Sequence, residues 1–134
     1  MIKFVHMSME KHERELILII ESDNFFRNLV VKRLRERGCQ ISGAADGDEG
    51  LEKIKNQKPD LIFLSLTLSR GESFEVLSRI RMDPAASSIP VIVLSNLGES
   101  EEVEEAFKSG ANDFLIKVNS SPELFLKKIK ENLR

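Results

Sequence analysis

Polar residues that could do chemistry follow the short apolar segments of this sequence, each at the point where a segment ends. A carboxylate beside a lysine could hold a metal ion or balance its own charge, and serine hydroxyls could act as nucleophiles or phosphate acceptors. Ligands of an open parallel sheet bind at the carboxyl ends of its strands, so we take these residues as candidate site residues. They are Glu21, Ser22, Ser65, Ser95, Asn96 and Lys117.

The apolar segments themselves predict the strands of such a sheet. Residues 16–20, 61–64 and 91–94 are apolar at successive positions, which is typical of central strands that are covered on both faces. Residues 39–45 and 113–117 are less uniformly apolar and indicate strands nearer the edges. We therefore expect five strands.

Amphipathic stretches separate the strands and predict helices. Asp23 and Ser121 are suitable N-caps, Pro122 suits a first helical turn, and Gly38 can close a helix in the left-handed conformation. Strand–helix–strand connections are right-handed, so the alternation predicts a doubly wound α/β domain with helices on both faces. We expect a tail at residues 1–15 and one domain at 16–134, with helices at residues 23–37, 48–56, 74–82, 99–109 and 122–133.

Nearly the whole predicted domain, from Leu16 to Leu133, resembles the receiver domains of two-component response regulators. The matching segments, in order, are LILIIESD with Arg27 following, PDLIFLS, SFEVLSRIR, IPVIVLSN and SGANDFLIK. The resemblance implies a flavodoxin-like parallel sheet with strand order 2-1-3-4-5, in agreement with the predicted elements. It also implies a role in phosphorelay signal transduction.

The resemblance fails at the acidic pocket where receivers do their chemistry. Receivers have two adjacent acids after the first strand and a phospho-accepting aspartate at the end of the third, where this sequence has Glu21, Ser22 and Ser65. Ser95 and Lys117 match the positions that end the fourth and fifth strands. Mg²⁺ prefers carboxylate oxygens, and only Glu21 supplies one, so we expect no metal and no cofactor. This pattern predicts a pseudo-receiver.

A direct ion pair between Glu21 and Lys117 could replace the metal site, because the two charges cancel. We expect the hydroxyls of Ser22, Ser65 and Ser95 to complete a hydrogen-bonded polar cluster around that pair.

Two functions remain open at this point. The first is a phosphorylation-independent protein-interaction module that is not an enzyme. The second is a serine-phosphorylated or catalytically active domain that uses Ser65. A serine hydroxyl has a high pKa and needs a base, and the two histidines, His6 and His12, both lie in the predicted tail. These residues therefore favour the first function.

An interaction face is predicted from charge. Glu101 and Glu105 of the predicted fourth helix contrast with Lys127 and Lys128 of the fifth, and these helices flank the fifth strand. Receivers use this face for dimers and output partners, so the resemblance implies a signalling protein partner or a homodimer through the fourth helix, fifth strand and fifth helix. Phe114 occupies the position of a rotating aromatic residue in receivers, although a buried ring is the simpler interpretation.

Composition excludes several other classes of protein. The chain has 134 residues with 41% hydrophobic and 31% charged residues, which is typical of globular domains. A net charge of -2 provides no bulk attraction to nucleic acid or anionic lipid. No apolar run approaches the roughly 20 residues of a membrane helix. We expect a cytoplasmic protein that binds neither nucleic acid nor membrane, with its single cysteine, Cys39, in the core.

Overall fold

Strands and helices alternate along the chain. A computed structural model describes residues 14–96 and 100–133. The predicted tail therefore lies outside the described residues, apart from the two that precede the first strand. The elements are β1 Leu16–Ile20, α1 Asn24–Glu36, β2 Gln40–Ala44, α2 Gly47–Gln57, β3 Leu61–Ser65, α3 Glu72–Met82, β4 Val91–Ser95, α4 Ser100–Lys108, β5 Asp113–Ile116 and α5 Pro122–Asn132. Short 3₁₀ turns follow β3 at Ser69–Gly71 and β5 at Lys117–Asn119.

The strands form one parallel sheet in the order β2-β1-β3-β4-β5, which confirms the predicted fold class. Ile19 at the centre of the sheet pairs with Gly43 on one side and Phe63 on the other. Because all strands run in one direction, their carboxyl ends meet at a single edge. That edge gathers the candidate site residues.

Two hydrophobic clusters cover the two faces of the sheet. Ile17 and Ile19 of β1 face a cluster with residues from α1 and α5, in which the rings of Phe63 and Phe125 meet edge to face at a centroid distance of 5.0 Å. Leu18 and Ile20 face the other cluster, with residues from α2, α3 and α4. This alternation along a strand buried on both sides explains the continuous apolar segments.

The helix ends follow the predicted caps. Asp23 Oδ1 accepts a hydrogen bond from the Phe26 amide at 3.0 Å, and Ser121 Oγ accepts one from the Leu124 amide at 3.2 Å. Gly38, after α1, has a φ of 96°, the left-handed conformation that was expected there. Within the described part of the chain, no helix is long and apolar enough to cross a membrane.

Candidate functional site

Glu21 lies at the carboxyl edge of the sheet, directly after β1, and its side chain is fully buried. Its Oε2 accepts a hydrogen bond from the Asp23 amide at 3.0 Å. Its Oε1 lies 2.6 Å from Lys117 Nζ, an ion pair between two largely buried side chains. Arg27 Nη1 donates to the Glu21 carbonyl at 2.6 Å. The ion pair confirms the predicted contact between Glu21 and Lys117.

Lys117 reaches the carboxylate from the opposite side of the site. It follows β5, and only 10% of its side chain is exposed. Its Nζ donates to Thr67 Oγ1 at 3.0 Å and lies 5.5 Å from the centroid of the Phe26 ring, within the range of a cation–π contact. The ammonium group therefore has an anion, a hydroxyl and an aromatic face around it.

Ser65, at the end of β3, joins this cluster through Thr67. The two hydroxyl oxygens are 2.8 Å apart, and the Thr67 amide donates to Ser65 Oγ at 3.1 Å. Ser73 Oγ donates to the Ser65 carbonyl at 2.6 Å. The sequence interpretation missed Thr67, although a hydroxyl residue two positions after a strand end could have been considered for the same loop.

The remaining predicted site residues do not all reach the ion pair. Ser95, at the end of β4, is fully buried. Asn96 and Ser22 are exposed at the rim of the edge. The Ser22 hydroxyl makes no hydrogen bond within the described residues, so the expectation that it would complete the cluster is wrong.

The family model "Response regulator receiver domain" matches residues 17–130. The chain belongs to this family. It is 38% identical over 101 residues to the DNA-binding dual master transcriptional regulator RpaA of Synechocystis sp., a match that covers 75% of this chain and 42% of RpaA. The chain therefore spans less than half the length of that relative.

Shorter relatives and solved structures agree with the receiver assignment. The chemotaxis protein CheY of Thermotoga maritima is 32% identical over 103 residues, covering 75% of this chain and 83% of CheY. A two-component response regulator from Clostridium difficile superposes with a TM-score of 0.80 at 32% identity, covering 90% of this chain and 96% of that one. CheY4 of Vibrio cholerae gives 0.81 at 26% identity, covering 89% and 98%.

The Mg²⁺ site implied by the receiver family does not fit the residues of this receiver domain. Both Glu21 oxygens are already engaged, one by the Asp23 amide and one by Lys117. Across residues 14–96 and 100–133, no group of three or more His, Cys, Asp or Glu side chains is placed to hold a metal ion. The lysine occupies the place at the carboxylate that a cation would need.

The predicted interaction face lies along one side of this receiver domain. Glu101, Glu105 and Lys127 are exposed, as expected of residues that meet a partner. Phe114 is half-buried rather than buried, and its ring packs edge to face against Phe107 with centroids 6.3 Å apart. It lies on edge strand β5 and packs against the hydrophobic cluster on one face of the sheet.

Lys128 differs from the other charged residues of that face because it has internal partners. Its Nζ lies 2.9 Å from Asp113 Oδ1 and 4.0 Å from Glu131 Oε1. Burial raises the pKa of Asp113, but hydrogen bonds from Lys128, the Phe114 amide and Asn132 outweigh it and leave the pKa below its ordinary value. Lys128 thus ties α5 to β5 and is not a free charge that could complement Glu101 or Glu105.

An apolar surface adjoins the ion pair. Phe25 and Val118 expose 78% and 76% of their surface, and Leu29 is also exposed. A small groove between α1 and the start of α5 is lined by Phe26, Leu29 and Pro122 among others. Exposed large apolar side chains close together are typical of protein contact surfaces.

Proposed function

We propose that this receiver domain is a pseudo-receiver: a module that binds a signalling protein partner, or a second copy of itself, without aspartyl phosphorylation and without enzymatic activity. The observation that carries the proposal is the buried 2.6 Å ion pair between Glu21 and Lys117 beside Ser65. Ser65 stands where the family pattern has the phospho-accepting aspartate.

Charge explains why such a site needs no metal. Three carboxylates and one lysine would carry about -2, which a divalent cation balances. The charges of Glu21 and Lys117 alone sum to zero. Thr67 Oγ1 accepts a further hydrogen bond from the ammonium group. Adding Mg²⁺ to this arrangement would leave the ammonium and the metal repelling each other across one carboxylate.

The alternative, a phosphorylated or catalytic Ser65, has less support. Ser65 is fully buried, and a protein kinase or a substrate would need access to its hydroxyl. The contacts of that hydroxyl are the Thr67 hydroxyl and amide, and neither group is a general base.

The surfaces of the domain support binding to protein. The exposed charges of Glu101, Glu105 and Lys127 lie on the side formed by α4, β5 and α5, where Phe107 is 42% exposed. Phe25, Leu29 and Val118 are also exposed, and Phe25 and Val118 are the chain neighbours of Phe26 and Lys117, whose side chains meet beside the ion pair. The net charge of -2 provides no bulk attraction to nucleic acid or anionic lipid, so we propose a protein partner.

The test is incubation of the chain with a small phosphodonor and Mg²⁺, followed by intact mass. We expect no added phosphoryl group. The matched variant is Ser22→Asp/Ser65→Asp, which rebuilds a three-acid pocket around Glu21 and leaves Ser95 and Lys117 in place. Thermal melts of that variant should show a lower Tm without metal, because clustered carboxylates repel, and a rise in Tm with Mg²⁺.

Phosphorylation of the unaltered chain at any residue of the site would overturn the proposal. If the double variant folds but Mg²⁺ does not raise its Tm, the geometry of the pocket has diverged as well as its residues, and loss of the acids alone would not explain the loss of metal binding.

A further inference from the structure

A groove lies between the C-terminal ends of α2 and α3, at the opposite edge of the sheet from the Glu21–Lys117 pair. Its volume is about 720 Å³. The floor is apolar, and the loop that leads to β4 closes one side. The apolar lining residues are Leu51, Ile54, Ile80, Ala86 and Ile89. Met82 also lines the groove and exposes 78% of its surface.

The rim of this groove is positively charged. Lys55, Lys58 and Arg79 line it with a single carboxylate, Asp83, which gives a local charge of about +2 in a chain whose net charge is -2. Lys55 and Lys58 are exposed, and within the described residues neither side chain forms an ion pair or a hydrogen bond. Arg79 pairs with Glu75 at 3.2 Å, but both side chains are more than half exposed, where such a pair contributes little.

Helix dipoles explain only part of this charge. Lys55 and Arg79 lie in the last turns of α2 and α3, where cations are favourable. Lys58 lies beyond the end of α2, as its left-handed C-cap with a φ of 50°. The dipoles also do not explain why Met82, on the same groove, is left exposed.

We propose that this groove is a docking site for an acidic amphipathic helix of a partner protein. Two parallel helices with an apolar floor form a trough into which one face of a third helix can fit. Acidic residues beside that apolar face would meet Lys55, Lys58 and Arg79, and the apolar residues would cover Met82. A concave groove suits a helix better than a flat lipid surface. The inference adds a further surface to the proposed interaction function and does not depend on the phosphorylation state.

The probe is a synthetic 15-residue helical peptide with leucines along one face and glutamates on both sides of them. A matched peptide carries lysine in place of each glutamate. Titration of the ¹⁵N-labelled chain should shift the amide resonances of residues 51–58 and 79–89, with the acidic peptide only. The Lys55→Glu/Lys58→Glu variant should weaken binding about tenfold or more, because it places like charges opposite each other. Met82→Ser should weaken binding independently of salt concentration.

The control variant, Lys32→Glu/Lys130→Glu, makes the same change in net charge at exposed positions of α1 and α5 and should bind the acidic peptide as the unaltered chain does. Equal binding of both peptides, no saturable binding, or shifts that map to α4, β5 and α5 would each overturn the proposal. Binding to phosphatidylglycerol vesicles in place of the peptide would overturn it in favour of a membrane contact. None of these outcomes bears on whether the chain accepts a phosphoryl group.

Discussion

At the residue scale, the decisive feature is a buried charge pair built from residues almost one hundred positions apart. Glu21 has no exposed surface, so its charge depends on Lys117 and on the Asp23 amide. Desolvating two charges is costly, and replacing both can be nearly neutral, whereas removing one leaves the other buried without compensation.

This asymmetry gives a measurable prediction. Lys117→Met should lower the free energy of unfolding by about 3–5 kcal/mol, because Glu21 then remains buried alone. Glu21→Gln combined with Lys117→Met should recover most of that loss. Urea denaturation of the two single variants and the double variant completes the cycle. Lys127→Met, on the exposed side of α5, is the control, with a change below about 0.5 kcal/mol. Equal stability of Lys117→Met and the control would show that the pair is not closed in solution.

At the element scale, the fold is held by connections between helices and the loops that precede strands. Arg81, in the last turn of α3, donates to the carbonyls of Ser87, Ile89 and Gly110 and to Asn112 Oδ1, at distances of 2.8–3.1 Å. A Cβ at Gly110 would lie 2.8 Å from Arg81 Cγ, so the loop before β5 passes closely over this side chain. One arginine thus joins α3 to the loops that lead into β4 and β5.

Arg81→Ala should therefore destabilise the fold by about 2–3 kcal/mol, since several carbonyls lose their donor at once. Arg79→Ala is the matched control, two residues away on the same helix, with only an exposed partner in Glu75. Its effect should stay below about 0.5 kcal/mol. Chemical denaturation measures both. Similar losses in the two variants would contradict the role given to Arg81.

The contact between β5 and α5 predicts a dependence on acid. The pKa of Asp113 is lower in the folded chain than in the unfolded chain, so the unfolded chain binds more protons as the pH falls. Asp113 therefore contributes to the free energy of unfolding at pH values above its ordinary pKa. That contribution is lost as the pH falls through the lowered pKa of the folded chain. Asp113→Asn should reduce stability at pH 7 by about 1–2 kcal/mol and flatten the loss in acid. Melting curves between pH 7 and pH 2 test this.

Glu104→Gln, on the exposed side of α4, is the control for the acid experiment and should leave the pH profile unchanged. A profile that is identical for Asp113→Asn and the unaltered chain would show that other carboxylates account for the whole acid transition.

At the scale of the whole molecule, the sheet is enclosed between two hydrophobic clusters, and Cys39 belongs to the cluster under α1 and α5. Burial raises the pKa of its thiol to about 11, partly opposed by the charge of Lys130. The pKa of the thiol in the folded chain lies above its ordinary value of 9.0. At neutral pH the thiol is protonated in both the folded and the unfolded chain, so its ionisation does not change stability there. Stability is lost as the pH rises through this range, where the unfolded thiol ionises first.

Cys39 should therefore report global opening. At pH 8 we expect its reaction with a disulfide reagent to be slower by about one hundredfold or more than in urea, because both access and the thiolate fraction are reduced. The control is Ser78→Cys on a Cys39→Ala background, whose exposed thiol should react rapidly with the chain folded. Fast modification of Cys39 under native conditions would contradict the packing of this cluster.

Much of this architecture is predictable from local patterns. Continuous apolar segments such as 61–64 are typical of central parallel strands that are buried on both faces. The observed strand β3 is one residue longer than this segment and ends at Ser65. Each of Glu21, Ser65, Ser95 and Lys117 follows or ends a strand, and parallel strands bring such positions to one edge. Periodicity and caps act over a few residues, so they can be read directly from the chain.

The connections within that edge were decided by the tertiary structure. Thr67 contacts Ser65, two positions before it, and Lys117, 50 positions after it, and no local pattern predicts the second contact. Ser22 is exposed and Glu21 is buried, although the two residues are adjacent in sequence. Lys128, which the sequence suggested as a free surface charge, is held by Asp113. The end of a strand can be predicted from the sequence, and it places a residue at the edge of the sheet. The contacts of that residue depend on distant groups that bury its side chain and balance its charge, and only the tertiary structure brings those groups together.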